Sequence, residues 1–311
     1  MVSPFIVQAI SYANIVTLLT LSLTLTYLTT KVPNFMQGTY AMVGVYVAAV
    51  IITMLSSKFP YYIVMPLAFV CASLVGAVVG IATYYIIIKP LIVRGASTLM
   101  LMIATFTGDF ILCGILYVLA DILVNYNVPY MIGLAFTNYS LMLGQSMPLI
   151  LSLLSVIALY VILYIILYHT KFGVSVRAAV ENPALAQTIG VNLERVRLFS
   201  WILSGMVSAY AGVIWPFIPG VGISSPTYGS MQLPLIFAAF IIGGIESLVG
   251  SVIGGYIVGI SQTLLTVLTG QTVYGFVFPL AVMTVLLLVC PRGIGELIET
   301  LIISRRSLKK V

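Results

Sequence analysis

An all-α, polytopic transmembrane bundle is the fold this sequence predicts, on three observations. Charged residues make up 6% of the 311 residues and apolar ones 61%, too few charges to clothe a water-facing surface. Apolar stretches recur from Ser11 to Cys290. Each is near the ~20 residues a helix needs to cross ~30 Å of hydrocarbon, and too long and uniform for a barrel strand. Of the 13 Lys and Arg residues, all but Lys58 fall on one side of the threading these stretches imply, and that side reads as the cytoplasm.

The first crossing, near 10–30, follows Met1–Gln8, which lacks the basic n-region of a cleaved signal peptide; it reads as a retained membrane segment. The others fall near 36–56, 62–88, 97–119, 146–168, 199–217, 231–246, 250–268 and 273–290, about nine in all within a range of roughly eight to ten. The third is long enough to tilt or break and the seventh is short for a full span, so either is a candidate for a split or re-entrant segment. The threading places the N-terminus outside, the C-terminus inside, and Lys31, Lys89, Arg94, Lys171, Arg177, Arg195, Arg197, Arg292, Arg305, Arg306, Lys309 and Lys310 in the cytoplasm. The net charge of +6 therefore reads as topology, and no nucleic-acid partner is expected. One domain, 1–311, is expected, with a polar cytoplasmic connection at 171–198 and a basic amphipathic tail at 292–311 lying along the inner leaflet.

Several chemistries have no support. No Gly-x-x-x-x-Gly-Lys-Ser/Thr sequence occurs, and Cys71, Cys113, Cys290 and the single His169 lack metal-ligand spacing. No metal, cofactor or catalytic centre is expected in this chain. His169, at a helix end, reads as a polar residue at the membrane surface or as a proton relay. The connection at 171–198 looks like soluble structure. Asn182 suits an N-cap, Pro183 the first helical position and Gly190 a left-handed C-terminal residue, so 183–189 reads as two turns of helix. Ala184, Leu185, Thr188 and Ile189 would form an apolar knob with Arg177, Glu181 and Arg195 around it, either as a grip for a partner or as a plain surface turn.

Asp109 lies midway along the fourth crossing, where an ionised carboxylate costs about 2.5–3.5 kcal/mol on insertion scales. It is expected to face protein or water, either lining a path or held as a structural acid by Thr105 or a facing helix. Asn34, Gln37, Gly38 and Thr39 mark the second crossing's start; they read as an interrupted, path-lining helix or as an ordinary capped turn. Glycines at four-residue spacing, with Ser204, Ser208 and Gly212, read as close helix packing. Gly243 to Gly250 reads as a hinge, a second partner contact or a simple turn around Glu246.

An ordered set of motifs resembles one family. Arg177-Ala-Ala, Asn182-Pro183, Ala186, Gly190-Val-Asn and Arg195 look like the cytoplasmic coupling segment of ABC importer permeases of the branched-chain amino-acid type. Asn34-Phe35-Met36-Gln37-Gly38 is similar to that family's Asn-Phe-x-x-Gly, with Met36-Gln37 replacing the usual Ala-His. Lys89-Pro90-Leu91 with Arg94 resembles its junction before the fourth crossing, and Cys290-Pro291-Arg292-Gly293 its closing motif with Cys290 for Arg. The resemblance, to the shorter of two permease types, implies a cell-membrane permease moving branched-chain or related amino acids inward by alternating access. It also implies coupling through Arg177, Glu181, Asn182, Pro183, Ala186, Gly190 and Arg195, and a path touching Asn34, Phe35, Gln37, Gly38 and Asp109. The partners it implies are two ATPase subunits holding ATP and Mg, a second related permease, and an extracytoplasmic solute-binding protein meeting the stretches 119–146 and 218–230. Two other readings stay open: a secondary transporter coupled to an ion at Asp109, and a permease of the same build for sugars or nucleosides.

Overall fold

A computed structural model describes residues 4–126, 128, 147–218, 221, 223 and 225–289. Every regular element among them is a helix. In chain order these are α1 (Pro4–Thr30), α2 (Gln37–Leu55), α3 (Tyr61–Thr83), α4 (Lys89–Val93), α5 (Thr98–Val124), α6 (Met147–His169) and α7 (Lys171–Glu181). There follow α8 (Pro183–Thr188), α9 (Leu193–Ile214), α10 (Tyr228–Met231), α11 (Leu233–Gly243), α12 (Leu248–Thr269) and α13 (Thr272–Val289). The tail at 292–311 and the motif at Cys290-Pro291-Arg292-Gly293 lie outside the described residues, as does most of 119–146.

Seven helical spans among the described residues are long and apolar enough to cross a membrane. The shorter Tyr228–Gly243 and the 18-residue α13 occupy the places expected for the remaining crossings. The long third span runs from Tyr61 to Val93 with a widened π turn at Tyr84–Ile88 just before Pro90. That proline has no N–H to donate, and its ring crowds the preceding turn, so the helix loosens there. Tyr228–Gly243 is split at Gln232, the second of the two places where a break is expected. The connection at 171–198 departs from the sequence reading: besides α8 it holds α7 and the start of α9. Thr170 caps α7 by accepting from Gly173 N at 3.0 Å, and Asn192 caps α9 by accepting from Arg195 N at 3.1 Å, so two further helices start within what reads as a loop.

The centre of the bundle is α1, whose membrane-length window is 83% buried, whereas that of α6 is 22% buried and faces outward. Two reciprocal seams set the layout. A Cβ on Gly76 or Gly80 of α3 would strike the backbone of Gly205 or Trp201 on α9, and one on Gly255 or Gly259 of α12 would strike Thr17 or Ala13 on α1. The glycines let each pair of backbones touch, which in lipid replaces the hydrophobic drive available in water. One end of the bundle collects the charges: Lys31 pairs with Glu246 and Lys89 with Glu194, each at 2.5 Å.

Candidate functional site

Helix α2 begins well inside the bundle. Its first residue, Gln37, donates to Ser22 on α1, eight residues or ~12 Å short of that helix's end at Thr30. The chain returns from Lys31 through 32–36 as a buried, non-helical stretch, with Val32 and Asn34 fully enclosed. Asn34 stabilises this return: its Oδ1 accepts from Met36 N at 3.0 Å and its amide donates to Gln37 Oε1 at 3.2 Å. Gln37 is then saturated. Its Nε2 donates to Ser22 and to Ser208 of α9, and its Oε1 also accepts from Ser204 at 3.1 Å. The amide thus joins α1, α2 and α9 at one point, and a polar side chain that would cost several kcal/mol unpaired in lipid has every hydrogen-bonding position filled.

A second helix start meets the first. A Cβ on Gly38 would lie 2.0 Å from the carbonyl oxygen of Gly229 in α10, and one on Gly229 would lie 2.2 Å from that of Gly38. Only glycine at both positions allows this approach. Beside the contact lies Asp109, 2% exposed and about 17 Å along α5. Thr39 donates to its Oδ1, Ser230 donates to its Oδ2 at 2.7 Å, and the two hydroxyls are 3.0 Å apart. One carboxylate therefore ties the first turns of α2 and α10 to α5. Of the two holders the sequence offers, Thr105 or a facing helix, it is facing helices that hold Asp109; Thr105 donates to Met102 O at 2.9 Å and accepts from Phe35 N at 3.5 Å. Phe35 stacks on Phe106 and Phe237, at 5.7 and 4.8 Å between ring centres. The five residues expected along a path, Asn34, Phe35, Gln37, Gly38 and Asp109, are brought into one region, with Asn34, Gln37 and Asp109 enclosed by this chain's own helices.

At the basic end, α8 has the caps expected of it. Asn182 Oδ1 accepts from Leu185 N at 3.0 Å, Pro183 is the first helical residue, and Gly190 takes a φ of +87°. Its faces differ from the sequence reading in one respect. Ala186 is 1% exposed and packs among Leu167, Val176, Ala179, Leu193 and Val196, so it anchors the segment to the body. The outward apolar pair is Leu185 and Ile189, 61% and 69% exposed. Arg195 and Glu181 are exposed beside them. Arg177 turns back toward α6, donating to Leu167 O and lying 5.2 Å over the Tyr168 ring.

Ser22 and Ser230 carry no local sequence signal and were invisible to sequence reasoning. Ser204 and Ser208 were legible only as a small-residue face. Among the described residues no group of His, Cys, Asp and Glu is placed to hold a metal ion.

Sequence comparisons identify the family. A family model described as branched-chain amino acid transport system / permease component matches residues 5–287. The probable branched-chain amino acid transport permease protein LivH of Methanocaldococcus jannaschii is 44% identical over 293 residues, 92% of this chain and 90% of that one. The high-affinity branched-chain amino acid permease LivH of Escherichia coli K12 is 27% identical over 270 residues, 84% of each chain. The fructose import permease FrcC of Rhizobium meliloti is 34% identical over 110 residues, 33% of this chain and 30% of that one. No solved structure matches significantly. A bundle of membrane-length helices and a match over nearly the whole length lead to one conclusion: the chain is a multi-pass membrane protein that belongs to the branched-chain amino acid transport system permease family.

Proposed function

We propose that this chain is the membrane-spanning subunit of an ATP-driven importer, moving branched-chain or related amino acids inward by alternating access. The observation that carries the reading is the capped segment at the basic end. It offers Leu185 and Ile189 to a partner while Ala186 fixes it to α6, α7 and α9. A rigidly seated, outward-facing apolar pair passes a push on to the helices behind it. The chain carries no nucleotide-binding motif of its own, so a pair of ATPase subunits with ATP and Mg supplies that push from the cytoplasm. Asn182, Pro183 and Gly190 shape the segment, and Glu181 and Arg195 form its charged rim. A second related permease and an extracytoplasmic solute-binding protein complete the assembly.

Inside, Asn34, Gln37 and Asp109 hold together α2 and α10, whose relative movement opens the path along Phe35 and Gly38. Substrate choice follows the relatives, since LivH proteins that match over most of the chain are named for branched-chain amino acids, whereas the fructose permease matches over a third. Vesicles containing the full assembly test the reading directly. Leucine uptake is expected to require ATP, to survive collapse of proton and sodium gradients, and to fall at least tenfold in Leu185→Asp/Ile189→Asp. Uptake that follows an ion gradient and is lost in Asp109→Asn would instead establish ion coupling.

A further inference from the structure

A cavity of about 610 Å³ opens at the basic end between α1, α6, α7 and the start of α12. Its wall carries both signs of charge: Lys31 and Arg177, with Glu181 and Glu246. Lys31 and Glu246 are spent on each other at 2.5 Å. Among the described residues, Arg177 and Glu181 have no ion-pair partner. They stand four residues apart on one face of α7, so a single zwitterionic group can meet both charges.

A second hollow of about 420 Å³ lies farther along α12, walled by Tyr256, Ile257, Ile260, Leu264 and their neighbours. Val249, which lines the charged cavity, shares a helix face with Tyr256 and Ile260, at spacings of seven and four residues. From Val249 to Ile260 is ~16 Å along the axis, about the depth of one ~15 Å leaflet. A molecule that is zwitterionic at one end and aliphatic over a leaflet's depth matches the separation of the two hollows along α12. A soluble solute would use only the first. The neighbouring helix α6 exposes Ile157, Val161 and Ile165 along its length and Tyr164 and Tyr168 near the charged end, the aromatic and aliphatic distribution of a helix meeting lipid at its headgroup level.

We propose that the two hollows form one phospholipid site. Arg177 takes the phosphate and Glu181 the amine of an aminophospholipid, beside the closed Lys31–Glu246 pair, and one acyl chain lies along Val249, Tyr256 and Ile260. The site shares Glu181 with the rim of the docking segment but not the apolar pair Leu185 and Ile189, and lipid retention reads it independently of transport.

Native mass spectrometry of the full assembly, delipidated and then exposed to micelles of defined lipid, tests this. Phosphatidylethanolamine is expected to remain bound at least tenfold better than phosphatidylcholine, whose quaternary amine cannot donate to the Glu181 carboxylate. Retention should fall about tenfold in Arg177→Gln, and also in Ile260→Trp, which fills the exposed trough without touching the charged cavity or the core. Inorganic phosphate and free phosphoethanolamine should compete weakly. Equal retention of the two lipids, unchanged retention in Ile260→Trp, or competition by free phosphoethanolamine as strong as by lipid would overturn the proposal. So would a photo-crosslinker at Tyr164 that labels another polypeptide instead of lipid.

Discussion

The crossing at Gln37 and Asp109 and the capped segment at 182–190 are both organised by small polar side chains, yet they are wired at opposite ranges. In the capped segment Asn182 closes on Leu185, three residues away, and Asn192 on Arg195. In the crossing, Gln37 reaches Ser208 across 171 residues and Asp109 reaches Ser230 across 121. A locally wired element keeps its shape when it moves against a partner. A long-range one holds only while its helices remain together, so it reports on and restrains their relative position.

Substitutions can break or sharpen that contrast. The largest effect is expected at Gly38. An added Cβ would lie 2.0 Å from the Gly229 carbonyl oxygen, backbone that cannot step aside, so Gly38→Val should cost more than the ~1–3 kcal/mol typical of overpacking and leave little folded protein in membranes by size-exclusion profile. Next is Asp109→Leu, which strips Thr39 and Ser230 of their shared acceptor. At ~1–3 kcal/mol per orphaned group, the midpoint of thermal unfolding in detergent should fall clearly, and Asp109→Asn, which keeps an acceptor, should fall less. At the basic end the order reverses between stability and coupling. Ala186→Arg should unseat α8 by forcing a long cation into a filled site, lowering stability and coupling together. Leu185→Asp/Ile189→Asp, on exposed positions, should shift stability by only about 0.5 kcal/mol per site while ATP hydrolysis and uptake come apart. A double mutant that loses the unfolding midpoint as strongly as Gly38→Val would show that the segment is core and not a contact. The smallest effect belongs to Asn182→Ala, about 1 kcal/mol of cap, read as faster proteolysis at 182–190 with uptake largely kept.

The membrane crossings, the side on which the charges gather and the capped turn at Pro183 are legible because each depends on residues within a few turns of one another. Run length sets a span, Asn182 and Gly190 set a helix's ends, and the resemblance in order along the chain supplied the family. Of the two places where the sequence left room for a break, the short seventh is divided at Gln232, while the long third runs on as helix through a widened π turn at Tyr84–Ile88. The helices α7 and the start of α9 were missed because the connection's polarity outweighed the caps at Thr170 and Asn192 in reading it as a loop.

What the sequence by itself determined was which segments enter the membrane, because hydropathy and caps are local quantities. Tertiary structure alone decided which face of each helix meets another. It placed Ala186 inward, made Gly38 a backbone contact, and decided between Thr105 and a facing helix for Asp109 by giving it to Thr39 and Ser230. The reason is that lipid and protein interior are equally apolar, so helices hydrophobic on all sides carry no stripe to mark their inner face. Pairing then rests on glycine contacts and single hydrogen bonds between residues far apart in the chain.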